Sequence, residues 1–267
     1  MAFALSSCSQ STKSDSASAS CAKADLKTLS DGTLTIATGQ PAYFPWVIDD
    51  KPESGQGFEA AVAYAVAEKL GFSKDEVKWV RTTFDGAIAP GDKTFDFNLQ
   101  QFSITDERKN AVDFSTPYYT APQAIVSFKG SKIAKATTLA ELKSAKLGAA
   151  VGTTSLDAIS NQIGGTPQVF NDNAAAVSAL KNKQIDGLVV DLPTAFYLSA
   201  VEIPKGLIVG QLPSTGSGDQ FGLLLAKGSP LTACVSQAVD AITADGSLEA
   251  ITTKWLSTDA GAPILKP

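Results

Sequence analysis

Along most of the chain, short apolar runs alternate with segments whose apolar positions recur every three or four residues, which is the pattern of strands followed by helices. Leu34-Thr35-Ile36-Ala37 reads as a strand, and Pro41-Ala42-Tyr43-Phe44-Pro45-Trp46 as an aromatic loop. Gly57 opens a helix through Leu70, with Ala61, Val62, Ala65, Val66 and Leu70 on one stripe and Gly71 as its stop. Val77–Val80 is a strand, Phe84–Ala89 a short helix and Phe95–Gln101 another strand. The alternation continues with a strand at Lys146–Val151 and a helix from Thr153. It repeats at Gln168–Phe170 with a helix over Ala174–Leu180, and at Gly187–Val190 with a helix from Pro193. Strands joined through helices predict an α/β fold with mainly parallel sheets.

Two strand-like segments, Gln123–Phe128 and Gln220–Ala226, have no helix in the expected place and bracket a block with its own βα repeats. A chain that leaves one lobe, builds a second and returns needs two such crossings. The helices Ser229–Thr243 and Ser247–Leu256 would then complete the first lobe. The expected division is 1–30 as leader remnant and tether, 31–120 with 223–258 as lobe 1, 121–222 as lobe 2, and 259–267 as a C-terminal tail.

The 267 residues suffice for two modest cores, and 44% hydrophobic with 18% charged residues is ordinary for a folded soluble protein. A net charge of −5 with no long basic run argues against nucleic acid as a partner. The absence of histidine removes Ser-His-Asp and Cys-His triads, histidine bases and most zinc sites. No cofactor and no metal is expected.

The three cysteines are unevenly placed. Leu5-Ser6-Ser7-Cys8, followed by a Ser/Thr/Ala-rich stretch to about Ser20, resembles a bacterial lipobox, in which the cysteine is diacylated and becomes the mature N-terminus. Dual acylation gives a stable membrane anchor, and the polar stretch serves as its tether. The plainer reading is a chance cysteine in a disordered tail. If Cys8 carries lipid, Cys21 and Cys234 remain as a pair, and an oxidising exported setting suggests a disulfide between them rather than two buried thiols. No later apolar run approaches the length of a membrane span.

Several segments together resemble the bacterial extracellular solute-binding proteins of family 3, the polar amino-acid receptors of ABC importers. They are Gly57-Phe58 opening the first long helix, then Phe84-Asp85-Gly86-Ala87-Ile88-Ala89-Pro90, and then Phe95-Asp96 leading to Ser103-Ile104-Thr105-Asp106-Glu107-Arg108. Phe114-Ser115-Thr116-Pro117-Tyr118-Tyr119, Val151-Gly152-Thr153-Thr154, Gln184-Ile185-Asp186-Gly187 with Asp191, Asp245-Gly246-Ser247 and Lys254-Trp255-Leu256 follow in order. The resemblance spans residues 31 to 257. It implies a type II periplasmic-binding-protein fold, two α/β lobes joined by a two-stranded hinge, which closes on a free amino acid and is then recognised by a membrane permease. A monomer anchored through Cys8 to the outer face of the bacterial cell membrane is the expected form.

The resemblance also places the ligand groups. Arg108 sits where the family holds the ligand carboxylate, a role suited to a guanidinium that donates in parallel and stays charged. Without the resemblance it reads as a surface arginine in a Thr-Asp-Glu-Arg helix start. Thr153 and Thr154 open a helix whose N–H groups can reach the same carboxylate from the other lobe. Asp191 stands where the family takes the ammonium; alone, it reads as a cap for the helix at Pro193. Ser103 and the Gln101 carbonyl match the remaining polar contacts. Tyr43 and Phe84 match an aromatic pair around the ligand side chain, or else pack the lobe core.

Gln40 falls where relatives that bind cationic side chains carry an aspartate, and Gln100 and Gln101 replace the usual small residues, with strand alternation turning only one of them into the cleft. With no cleft carboxylate evident beyond Asp191, a lysine or arginine ligand would bury a poorly paired charge, so a neutral polar amino acid such as glutamine is expected. Two rivals are a cyclohexadienyl-dehydratase-like enzyme on the same scaffold, which would need a general acid beside its substrate, and a sensing ectodomain with a separate partner.

Overall fold

The computed structural model describes residues 20–213, 219–256 and 262–267. Cys8 and nearly all of the expected tether lie outside them. Among the described residues, ten strands fall into two five-stranded sheets, with eight α-helices around them.

The first sheet grows from β1 (Leu34–Gly39), whose six residues are all buried. Helix α1 (Phe58–Lys69) carries the chain to β2 (Val77–Thr82), parallel to β1. After α2 (Phe84–Ile88) comes β3 (Phe97–Asn98), parallel to β1 on its other side. The short helix α3 (Asp106–Lys109) leads into β4 (Val112–Ala121). β3 is shorter than the expected Phe95–Gln101 for a local reason. The Asp96 carboxylate takes the N–H groups of Leu29 and Thr35 at 2.8 and 2.7 Å, and Gln101 turns the chain with φ 51°.

The second sheet begins with β5 (Gln123–Phe128), then β6 (Leu147–Ala150), α4 (Thr154–Ala158), β7 (Gln168–Phe170) and α5 (Asn173–Lys181). β8 (Gly187–Asp191), α6 (Leu192–Tyr197) and β9 (Gly206–Gln211) complete it. The chain then returns as β10 (Asp219–Ala226) to the first sheet and ends in α7 (Thr232–Ala244) and α8 (Ser247–Leu256). The strand orders are β2-β1-β3-β10-β4 and β7-β6-β8-β5-β9. In both, three parallel strands are followed by one that runs against them.

The segments expected to cross between lobes do not themselves cross. Gln123–Phe128 pairs within the second sheet, while Gln220–Ala226 pairs within the first. The crossings are the junctions beside them, and they lie next to each other: Asp219 pairs with Ala121, and Ala124 with Gln211. Residues 219–222, expected in lobe 2, therefore belong to the first sheet. The described end of the C-terminal tail packs on the second sheet, with Ile264 bridged to Gln211 and Leu265 only 2% exposed.

Each sheet buries both faces. The larger core of the first joins Phe58, Val62 and Val66 of α1 to Val235 and Val239 of α7, and Phe97, Phe102 and Leu224 help to fill the remaining layers. The second sheet is enclosed by one cluster around Leu180, Leu188 and Leu198 and another around Leu142, Ile159 and Val189. Cys21 and Cys234 form a disulfide that ties the N-terminal arm to α7.

Candidate ligand-binding cleft

In an open parallel sheet, the crevice beyond the carboxyl ends of the strands is the natural place for a ligand, because connections there leave in opposite directions. Here two such ends face each other. β1 delivers Gly39 and Gln40, β3 leads to Gln100 and Gln101, β6 leads to Thr153 and Thr154, and β8 ends in Asp191. Between them lies a cavity of about 240 Å³. All ten residues expected to contact a ligand line it: Gln40, Tyr43, Phe84, Gln100, Gln101, Ser103, Arg108, Thr153, Thr154 and Asp191.

Arg108 is 8% exposed and held by two carbonyls, Nη1 donating to Ser103 at 2.7 Å and Nη2 to Gly152 at 2.8 Å. The second bond spans the lobes. Burial lowers the Arg108 pKa, while Asp219, Asp157, Asp191 and Glu107 raise it; a guanidinium stays charged in such a setting. Its carbon lies 5.3 Å from the centre of the Phe84 ring, which in turn stacks on Phe102 at 4.9 Å. Phe84 thus supports the arginine as well as lining the cavity. Thr153 caps α4, its hydroxyl accepting the Leu156 N–H at 3.2 Å.

Asp191 precedes α6 but makes no side-chain capping bond. Its Oδ1 accepts a hydrogen bond from Gln123 Nε2 at 2.6 Å, and the same nitrogen donates to Asp219 Oδ2, also at 2.6 Å. One amide therefore stands between two carboxylates, and its oxygen accepts from Ser155 at 2.5 Å. Thr154 gives its proton to Asp219 at 3.2 Å, so Ser103, 3.2 Å away on the other lobe, is the donor to Thr154. Burial first, then Asp219 and Glu59, push Asp191 up to about 7 against the pull of Gln123 and Arg108.

The carboxylate that sequence reasoning missed is Glu59. It lines the cavity beside Gln101 and is 1% exposed. Tyr118 donates to its Oε1 at 2.5 Å, the Gln101 N–H donates to the same oxygen at 2.7 Å, and the Gln101 amide donates to Oε2. Burial outweighs these bonds and raises Glu59 to about 7. A signal was present in α1, whose buried face is Glu59, Val62, Ala63, Val66 and Ala67 rather than the stripe through Ala61 and Ala65. Asp172 also lines the cavity, capping α5 through the Ala175 N–H at 2.7 Å. The expectation that Asp191 is the sole cleft carboxylate is corrected.

Gln100 and Gln101 both border the cavity, although alternation predicted only one; the left-handed backbone at Gln101 breaks the alternation. Gln101 is turned to Glu59, while Gln100 lies across Gly39, where a Cβ would stand 2.8 Å from its amide nitrogen. Gln100 Oε1 is buried without a partner, and the buried Tyr43 Oη faces the Ala174 backbone N–H. The lobes also meet at Trp46, whose Nε1 donates to Thr194 Oγ1 at 2.9 Å, and at Phe44 and Tyr197, with ring centres 4.8 Å apart.

Residues 34–258 match the family of bacterial extracellular solute-binding proteins, family 3. The chain belongs to this family. It is accordingly a solute-binding protein of the type II periplasmic-binding-protein fold, found outside the cytoplasm. It is 30% identical over 232 residues to the L-cystine-binding protein TcyJ of Escherichia coli K12, covering 85% of this chain and 84% of that one. It is 30% identical over 218 residues to the ABC transporter glutamine-binding protein GlnH of Bacillus subtilis, covering 78% and 76%. An ancestral arginine-binding protein bound to glutamine superposes with a TM-score of 0.71 at 32% identity, covering 84% of this chain and 98% of that one. Within this solute-binding family the lobes, the facing strand ends and the inter-lobe contacts describe a closed receptor.

Proposed function

We propose that the protein binds a free neutral polar amino acid, glutamine being the reference ligand, and delivers it to an ABC importer permease by lobe closure. The observation that carries this reading is the pairing in one cavity of the Arg108 guanidinium with the Asp191 carboxylate. Together they complement a zwitterion: Arg108 with the N–H groups at Thr153 and Thr154 for its carboxylate, Asp191 with Ser103 and the Gln101 carbonyl for its ammonium.

The side-chain preference rests on which polar groups are already satisfied. Glu59 has three donors of its own, Asp172 caps a helix, and Asp191 is committed to the ammonium. A cationic side chain would find, among the described lining residues, only the helix-capping Asp172 still open to it, and would otherwise bury its charge at a cost. Gln100 Oε1 and Tyr43 Oη instead offer an acceptor and a hydroxyl, the complement of an amide. Gln40 and Phe84 close the remaining walls. The chain would act as a monomer, held to the outer face of the cell membrane by lipid on Cys8.

A thermal-shift screen against the common amino acids, followed by calorimetry, tests the proposal. A ligand at about 100 times its dissociation constant stabilises by roughly 2.7 kcal/mol. Tighter binding of arginine than of glutamine would overturn the side-chain assignment.

A further inference from the structure

The first turn of α1 is pinned from outside the helix. The N–H groups of Phe58 and Glu59 donate to the carbonyls of Pro45 and Trp46 at 2.9 and 3.0 Å, so the helix start holds the end of the aromatic loop that carries Tyr43. Helix N-terminal N–H groups need such partners, since no turn precedes them. Gly57 permits the approach: its φ is 105°, and a Cβ there would stand 2.5 Å from the Trp46 carbonyl oxygen. The backbone of Glu59 is thereby fixed against one wall of the cavity.

Its side chain reaches another wall. Beyond β3 the chain is held on both sides of Gln100 and Gln101. The Leu99 N–H donates to the Ala37 carbonyl at 3.1 Å, and the Phe102 carbonyl accepts from the Gly222 N–H at 3.1 Å. Between these points Gln101 is left-handed at φ 51°, a conformation that costs a residue with a Cβ and persists only where its surroundings impose it. Glu59 supplies that constraint: one of its oxygens takes the Gln101 N–H and the other the Gln101 side-chain amide. Tyr118 of β4, itself 2% exposed, steadies the same carboxylate. Glutamate is rarely buried, because its charge must leave water. This one is buried and gives both oxygens to a residue 42 positions away.

We propose that Glu59 is a positioning residue for the ligand ammonium, holding the Gln101 backbone left-handed so that its carbonyl faces the bound amino group. This rests on the reading of the cleft above, in which that carbonyl, Ser103 and Asp191 receive the ammonium. Glu59 acts through Gln101 rather than on the ligand. With the clamp gone, Gln101 relaxes toward negative φ, the peptide plane beside it rotates, and the ammonium loses one of its acceptors.

Calorimetry on the whole chain tests the proposal, with thermal unfolding as the check on folding. The probes are glutamine and arginine, which share the amino-acid head and differ in side chain. Glu59→Ala, or Glu59→Asp should alanine unfold the chain, should weaken whichever probe binds by about tenfold or more. Adding Gln101→Gly to that variant should recover at least about fivefold, because glycine takes a positive φ unaided. A glutamate that merely filled space would give no such recovery. Glu59→Gln should stay within about threefold of the native chain, its oxygen still accepting the Gln101 N–H and its amide pairing with a flipped Gln101 side chain. Native affinity in the first variant, or no recovery on adding glycine, overturns the role of Glu59 and leaves the cleft assignment standing. Glu59→Gln as weak as Glu59→Ala makes charge rather than position the cause, and overturns it equally. A native chain that binds neither probe overturns the cleft reading and this one together.

Discussion

Arg108 and Gly152 stand on opposite lobes, and the arginine Nη2 donates to the glycine carbonyl oxygen at 2.8 Å. The residue that faces the cavity is thus also one that fastens the lobes together, so filling the cavity and closing it are coupled through one side chain.

Replacing Arg108 with Ala should weaken binding by roughly 2–5 kcal/mol, since the ligand carboxylate would be left buried without its partner. Arg108→Lys keeps the charge but loses the planar pair of donors, and it should remain at least about tenfold weaker than the native protein. Calorimetry with glutamine checks both, and native affinity in either variant would refute the assignment.

Gly152 has φ 72°, and a Cβ there would come 2.5 Å from Asp85 Oδ1 on the other lobe. Gly152→Ala should cost about 1–2 kcal/mol of stability for the left-handed backbone. It should also hold the closed lobes apart, giving a larger radius of gyration by small-angle scattering at saturating ligand. An unchanged scattering profile would show that Asp85 swings aside.

Asp191 and Glu59 are raised to about 7 from ordinary values of 3.8 and 4.5. Between those limits the folded chain binds more protons than the unfolded one, so ligand-free stability should fall as pH rises from about 4 to about 7 and then level off. Ligand affinity should move the other way, because an ammonium needs Asp191 ionised. Binding at pH 7.5 should exceed that at pH 5.5, and Asp191→Asn should bind weakly with a flatter profile. A native affinity independent of pH across this range would exclude Asp191 as the ammonium partner.

Most of the fold was legible because strands and helices announce themselves by periodicity, and the ten residues that line the cavity because the family resemblance marked their positions. The rest depended on long-range contacts. β4 and β9 lie beside the crossings, and their partners are distant in sequence. Glu59 resembles an ordinary acidic residue in the first turn of a helix, and only packing against Tyr118 and Gln101 reveals it as buried. Asp219 and Asp191 face each other across the Gln123 amide, from three separate strands. No local pattern encodes such a meeting.

The disulfide links positions 213 residues apart. Its removal in Cys21→Ser/Cys234→Ser should cost roughly 2–5 kcal/mol, read from urea unfolding. Because Cys234 is buried in the core behind the first sheet, away from the cleft, glutamine affinity should change by less than about threefold. A stability equal to the native protein would mean that the N-terminal arm contributes no constraint.

That bond also decides which half of the molecule stands still. Any pull on the chain ahead of Ser20 reaches the body at Cys21 and passes through the sulfur bridge into α7, bypassing the strands that join the two sheets. With the chain anchored through Cys8 as proposed, the first lobe would carry the load as a fixed base. The second lobe would then be free to open and shut without working against that anchor.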